Sequence, residues 1–180
     1  MQKPIIFLDF DRTLFDTEQF YDWLGDSVDS RIRDLVLGTI TPPDFASMLY
    51  PDTLSFLQRT QGTHRLVLLT HIANPALQEK KIHESGISPY MDDVLIVTGE
   101  HADIAKGRAA KEYLSKSSDL ITGHIFVDDN PENISQMKAL NPSMTCVRID
   151  RLKPLADALV LTPNAPDAVV TNLAELLLLL

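Results

Sequence analysis

The chain has 180 residues, 44% of them hydrophobic and 23% charged, and a net charge of −9. These are ordinary globular proportions, and they exclude a wholly disordered, collagen-like or coiled-coil chain. A chain of this length buries roughly 70% of its unfolded surface, enough for one self-sufficient domain with a small insert. The acidic balance lacks the general field that draws in nucleic acid or anionic lipid, so neither is an expected partner.

The single Cys146 cannot form an intrachain disulfide, which suits a reducing compartment. The first residues, MQKPIIFLDFDRTLFD, carry one lysine and a short apolar run broken by acids, unlike a signal peptide. No apolar run approaches the ~20 residues of a membrane span. A cytoplasmic monomer or weak homodimer is the resulting expectation.

Residues 4–9 (PIIFLD) form an apolar run too short for a helix and rich in strand formers. Similar runs follow at 65–70 (RLVLLT), 94–98 (VLIVT), 124–128 (HIFVD) and 144–149 (MTCVRI). Such runs suit strands buried on both faces of a parallel sheet. Helical patterns lie between them at 51–60, 75–85, 102–116 and 131–140. Pro51, Pro75 and Pro131 are placed in first helical turns, where the missing N–H costs nothing, and Asn74 and Asn130 are expected N-caps. Strands alternating with helices predict an α/β fold with a doubly wound, Rossmann-like, mainly parallel sheet.

One stretch breaks the alternation. Residues 16–50 show no strand pattern and read as short helices at 17–28, 30–37 and 43–49, with Gly38 as a stop. They form a small helical insert after the first strand, within a core made of residues 1–15 and 51–180. The tail from 152 onward is punctuated by prolines and then helical, with 168–170 a short edge strand and the leucines of 176–180 closing a core helix.

Asp9 and Asp11 end the first strand, and a spacing of two on extended chain puts both carboxylates on one side. Asp128 and Asp129 end the fourth strand, Thr70 ends the second, and Lys106 follows the third. In open α/β sheets ligands bind outside the carboxyl ends of the strands, so these residues converge on one rim. Several carboxylates together need a cation between them. All-oxygen ligands favour a hard ion such as Mg²⁺, which takes one or two carboxylates and then substrate phosphate. A hydroxyl and an ammonium suit phosphate oxygens. One carboxylate can act as nucleophile and a second as general acid and base.

The segment DFDRTLFD at residues 9–16 resembles the first motif, D-x-D-x-T, of the haloacid dehalogenase superfamily. The strand ending at Thr70, Lys106 in IAKGRAA, and Asp128–Asp129 in FVDDNPENI resemble its second, third and fourth motifs, in the same order. The resemblance covers about residues 5–140. It implies Asp9 as nucleophile and Mg²⁺ ligand, and Asp11 as general acid/base offering its backbone carbonyl to the metal. It implies Asp128 as a direct ligand with Asp129 a ligand or its partner, Thr70, His71 and Lys106 on the phosphate, and Thr13 supporting the loop. An acid at Asp11 favours phosphatase or phosphomutase over dehalogenase, which lacks it, and over the transport ATPases. Two positions depart from the family pattern: Arg12 stands where Gly is common and His71 where Asn is frequent.

The resemblance thus implies a Mg²⁺-dependent phosphomonoester hydrolase working through an aspartyl-phosphate on a small phosphorylated metabolite or nucleotide. The insert would be a reduced cap, short for a full helical one, over an open site. The alternatives are a phosphomutase and a non-catalytic Mg²⁺- and phosphate-binding module. The order of the acids disfavours a receiver domain. The remaining polar residues carry plainer expectations. Lys80 and Lys81 are placed in solvent, and Arg31 and Arg33 on the surface. Tyr21, Trp23 and Phe45 form the packing face of the insert. His64, His71, His83, His101 and His124 show no metal-ligand pairing, only His71 bordering the site. Cys146 is expected to be buried and inert.

Overall fold

The computed structural model describes residues 3–99, 102–116, 122–151 and 164–180. His101 and the first part of the expected tail, residues 152–163, lie outside the described residues. Six strands, β1 (Ile5–Leu8), β2 (Arg65–His71), β3 (Asp93–Val97), β4 (Ile125–Asp128), β5 (Thr145–Ile149) and β6 (Ala168–Val170), form one sheet in the order β3-β2-β1-β4-β5-β6. Every pairing is parallel, and Ile6 of β1 stands between Leu66 of β2 and Ile125 of β4. The strand order reverses between β1 and β4, which opens a crevice at their carboxyl ends.

The strands read as unbroken apolar runs because both faces of the sheet are covered. Ile6, Leu8, Leu66, Leu68 and Val127 face one layer, while Ile5, Phe7, Val67, Leu69 and Phe126 face the other. The first layer is α1 (Thr17–Leu24), α2 (Val28–Leu37), α3 (Thr53–Thr60), α4 (Pro75–Glu84) and α7 (Leu173–Leu176), contributing Phe20, Leu24, Leu35, Leu57, Leu77 and Leu173. The second is α5 (Ala102–Ser115) and α6 (Pro131–Leu140), contributing Ala110, Ile134 and Met137. Gly107 lets α5 and α6 approach closely, since a Cβ there would stand 2.7 Å from Leu140 Cδ1.

Asn74 and Asn130 accept backbone N–H bonds from Leu77 and Glu132, and Pro75 and Pro131 follow them at the helix starts. Pro51 does not sit in a helix. It lies in the turn before α3, whose preceding Asp52 makes no cap bond. The Asp52 carboxylate instead accepts from Arg151 Nη1 at 2.8 Å and from Leu173 N at 2.7 Å, tying the start of α3 to the far end of the chain.

Within residues 16–50 the expected helix 17–28 breaks at Gly25, whose φ of 60° ends α1 and begins a 3-10 turn at Gly25–Ser27. Gly38, at φ 70°, stops α2 as expected. The third helix is only a 3-10 turn, Phe45–Met48. The two ends of the segment meet: Asp16 N donates to Met48 O at 2.7 Å and Tyr50 N to Leu14 O at 3.0 Å. Phe45 is core, and Trp23 stacks on Phe20. Arg31 is not a free surface charge, because its guanidinium lies 4.2 Å over the Trp23 ring. Tyr21, 47% exposed, does not pack inward.

The leucine run at 176–180 closes the core through Leu176, with Leu177 packed partly against it, while Leu178, Leu179 and Leu180 are exposed. The α-helix ends at Leu176, and consecutive residues of a tight turn cannot all face one side. Cys146 is buried, and burial with Asp167 nearby pushes its thiol up to about 12, so it is not a nucleophile at neutral pH. Among the described residues no helix is long and apolar enough to cross a membrane.

Candidate active site

The site lies at the crevice between β1 and β4. Asp9 follows β1, its N–H donating to Val127 O at 2.9 Å, so the nucleophile candidate is registered directly against β4. The chain then turns sharply. Phe10 O accepts from Leu14 N and Phe15 N, and Arg12 N donates to Phe15 O at 2.8 Å. The turn needs a left-handed residue, and Arg12 occupies it with φ 59°. That costs an L side chain about 1–2 kcal/mol, which explains why glycine suits the position. The Arg12 guanidinium is drawn back to Glu18, with bonds of 2.9 and 2.6 Å.

Thr13 supports this loop through its carbonyl, which accepts from Arg151 Nε at 3.2 Å and Nη2 at 2.7 Å. Its hydroxyl is buried with no hydrogen-bond partner among the described residues. Arg151 is invisible to motif reading because it acts from 138 residues away.

Lys106 reaches from α5 to the bottom of the crevice. It is buried and donates to Asp9 Oδ1 at 2.6 Å and Asp128 Oδ2 at 2.7 Å. Burial alone would lower its pKa, but Asp128 and Asp9 outweigh burial and raise it, so it stays an ammonium. Asp128 is fully buried, and its carboxylate also accepts from Asn130 N and from Asn133 Nδ2 at 2.9 and 3.1 Å. Asn133, five residues past Asp128 on the first turn of α6, is a site residue that the motif reading missed.

Ligand oxygens of Asp9, Asp128 and Asp129 all lie within 4.8 Å of one another. One lysine cannot neutralise three acids. Burial, then Asp128 and Asp129, raise the Asp9 carboxyl well above its ordinary value despite Lys106. Burial and Asp128 push Asp129 up to about 6. The Asn133 Oδ1 atom is buried and has no hydrogen-bond partner among the described residues. Three crowded carboxylates with one lysine among them are a donor set that suits a hard divalent cation, so the residues fit Mg²⁺.

Asp11 belongs to a different cluster. Its carboxylate turns away from Asp9, Asp128 and Asp129 and meets α1 and α4. Oδ1 accepts from Thr17 Oγ1 at 2.9 Å and from Lys81 Nζ, and Oδ2 accepts from Gln78 Nε2 at 2.7 Å. Burial would raise its pKa, but Lys81, Gln78 and Thr17 together lower it, and Asp11 rests ionised. Lys81 is not solvated, as the sequence suggested. It is 2% exposed and its ammonium lies 4.8–5.3 Å from the rings of Phe10, Phe15 and Phe20. Leu77, Gln78, Lys81 and Ile82 share the buried face of α4 at i, i+1, i+4 and i+5.

A cleft of about 490 Å³ opens over both clusters. Asp9, Lys106, Asp129 and Asn133 line its polar end, Asp11 and Lys81 lie along it, and Phe20, Tyr21, Ile32 and Leu77 form an apolar wall. His71 lines the cleft, with its Nε2 bonded to Gly99 O at 2.9 Å. Thr70 does not line it. The Thr70 side chain is fully buried, and its Oγ1 accepts from Gln78 Nε2 at 2.9 Å.

No protein-family model matches the sequence, and no curated protein does. Solved structures do. A haloacid dehalogenase-like hydrolase from Burkholderia xenovorans superimposes with a TM-score of 0.74 at 19% identity, over 98% of this chain and 95% of that one. A magnesium-bound HAD hydrolase, YfnB of Bacillus subtilis, gives 0.65 at 13% identity, over 99% of both chains. A HAD phosphatase from Thermococcus onnurineus gives 0.61 at 19% identity, over 99% of this chain and 97% of that one. L-2-haloacid dehalogenases are also among the similar structures. The chain therefore has the fold of the haloacid dehalogenase-like hydrolases.

Proposed function

We propose that this protein is a Mg²⁺-dependent phosphomonoester hydrolase that works through an aspartyl-phosphate on Asp9. The observation that carries the reading is Asp11, a carboxylate two residues beyond Asp9 that lines the same cleft. A departing halide needs no proton, whereas a departing alkoxide does, and a carboxyl group beside the nucleophile can supply one. The crowded acids of the polar end, together with Lys106, also suit an anionic phosphate brought in with a cation.

Asp9, Asp128 and Asp129, with the Asp11 backbone carbonyl, would hold the ion, and Asn133 Nδ2 holds the Asp128 carboxylate. Bound Mg²⁺ would neutralise phosphate charge as it develops. Lys106 holds Asp9 Oδ1 and keeps the nucleophile oriented. A carboxylate oxygen of Asp9 attacks phosphorus, the ester P–O bond breaks, and the leaving oxygen takes a proton from Asp11. Asp11 rests ionised, so that proton enters with a substrate bound as its monoanion. In the second half Asp11 accepts a proton from water. The water oxygen attacks phosphorus, the bond to Asp9 breaks, and phosphate leaves. Lys106 and His71, which line the cleft, serve the phosphate oxygens, and Thr70 stays buried against Gln78. Residues 16–50 act as a small cap, whose Phe20, Tyr21 and Ile32 contact the leaving group. A small phosphorylated metabolite or nucleotide fits the cleft.

Phosphate and chloride release test the reading together. Wild-type protein and Asp9→Asn are assayed with a panel of phosphomonoesters and with 2-chloropropionate, in Mg²⁺ or EDTA. Phosphate release by wild type only, and only with Mg²⁺, is expected. Chloride release without phosphate release would overturn it.

A further inference from the structure

We infer that Lys81 is a positioning residue that, with Gln78 and Thr17, clamps the Asp11 carboxylate in its working orientation before any substrate arrives. The inference rests on the phosphohydrolase reading for its kinetic consequence, though not for its geometry.

Three protein donors converge on one carboxylate. Lys81 Nζ and Thr17 Oγ1 meet Oδ1, and Gln78 Nε2 meets Oδ2 at 2.7 Å. The donors come from two different helices, Thr17 from the start of α1 and Gln78 and Lys81 from α4. Both carboxylate oxygens are therefore held, and neither rotation about the side chain nor withdrawal is free. Each clamp member is itself fixed. Gln78 spans Asp11, Thr70 and Lys81, its Oε1 accepting from Lys81 at 3.2 Å. Thr17 Oγ1 accepts from Arg12 N at 3.2 Å, which ties the clamp to the left-handed turn. Lys81 is 2% exposed, its ammonium lies 4.8–5.3 Å from the rings of Phe10, Phe15 and Phe20, and among the described residues it pairs with no acid but Asp11, beside the cleft that both line.

A buried lysine with this surrounding is not needed to fill the core, where leucine or methionine would pack without desolvating a charge. Nor does it serve the phosphate end, which Lys106 occupies. Its contacts aim at one target. A group that must meet a leaving oxygen gains most from being held in place in advance, because a displacement of about 1 Å can cost ~100-fold in rate. Because the clamp joins α1 to α4, Asp11 keeps its place without any closing movement of residues 16–50.

The test is the dependence of rate on the leaving group. Kinetics are measured with Mg²⁺ for wild type, Lys81→Met and Gln78→Met on 4-nitrophenyl phosphate, whose leaving group departs readily unprotonated, and on an alkyl phosphate, whose leaving group does not. The expected result is a loss of kcat with the alkyl ester about tenfold or more larger than with the aryl ester, with KM little changed. Gln78→Met should show the same selectivity with a smaller loss, and it keeps the question open to test if Lys81→Met fails to fold. Equal losses on both esters, or none, in folded variants would overturn the inference. If wild type releases no phosphate at all, the phosphohydrolase reading fails by itself. The clamp is then read from crystal structures of wild type and Gln78→Met. A rotated or multiply placed Asp11 side chain in the variant supports it, and an unchanged one refutes it.

Discussion

Two buried lysines each neutralise one acid of the same D-x-D segment, yet their surroundings are opposite. Lys106 meets Asp9 and Asp128 with Asp129 close by, so the cluster stays short of positive charge and opens onto the cleft. Among the described residues Lys81 pairs with no acid but Asp11, among three aromatic rings, so that one charge balances one. The first arrangement is unfinished, and in the proposed reaction a cation and an anionic substrate would complete it. The second is balanced one charge to one and holds Asp11 in place. Neighbouring carboxylates thus acquire different roles from the charge balance around them, not from their own chemistry.

The comparison breaks most visibly at Asp9. Asp9→Asn removes the attacking oxygen, and phosphate release should fall below detection, whereas Asp11→Asn should leave activity reduced by about 10²–10⁴-fold, as expected for a lost general acid. Steady-state assays on both variants check the ranking, and an Asp9→Asn protein as active as Asp11→Asn would count against it.

Removing the lysine of the unfinished cluster is the next largest effect. Lys106→Met leaves buried acids facing one another and should cost about 3–5 kcal/mol of stability. Mg²⁺ should restore part of it, seen as a larger Tm rise on adding the ion than wild type shows. Asp11→Asn should cost less than that, because Lys81 keeps its three rings and the Gln78 oxygen.

The excess of acid also sharpens the comparison through pH. Asp129 is pushed up to about 6 and Asp9 is raised as well, so without metal these groups bind protons that the ion must displace. Mg²⁺ affinity should therefore fall as pH drops through about 6, where Asp129 takes up a proton. Calorimetric titration across that range tests this, and a pH-independent affinity would sink it. The smallest effect concerns the turn joining the clusters. Arg12→Gly relieves the left-handed strain at the cost of an exposed ion pair with Glu18, and should stabilise by up to about 1 kcal/mol in denaturant unfolding.

Much of this architecture was legible in the order of residues. Strands buried on both faces announce themselves as short apolar runs, and Asn74–Pro75 and Asn130–Pro131 announce helix starts, because both signals are local. The acids at strand ends were legible for the same reason: a charge directly after PIIFL or IFV needs a site to explain it. Other features were not local. Pro51 precedes its helix because Asp52 is claimed by Arg151 and Leu173 across the fold. Thr70 faces Gln78 instead of the cleft because α4 brings an amide over it. Lys81, taken alone, is one of two adjacent lysines on an amphipathic helix. Its burial depends on where Phe10, Phe15, Phe20 and Asp11 come to rest, three of those rings and the acid arriving from sixty or more residues upstream. Local pattern thus set the strands, the helix starts and the acids of the cleft, since backbone geometry and hydrophobic periodicity act over a few residues. Only packing between distant segments chose which lysine serves Asp9 and which serves Asp11, because a buried charge takes its partner from whatever the fold places beside it.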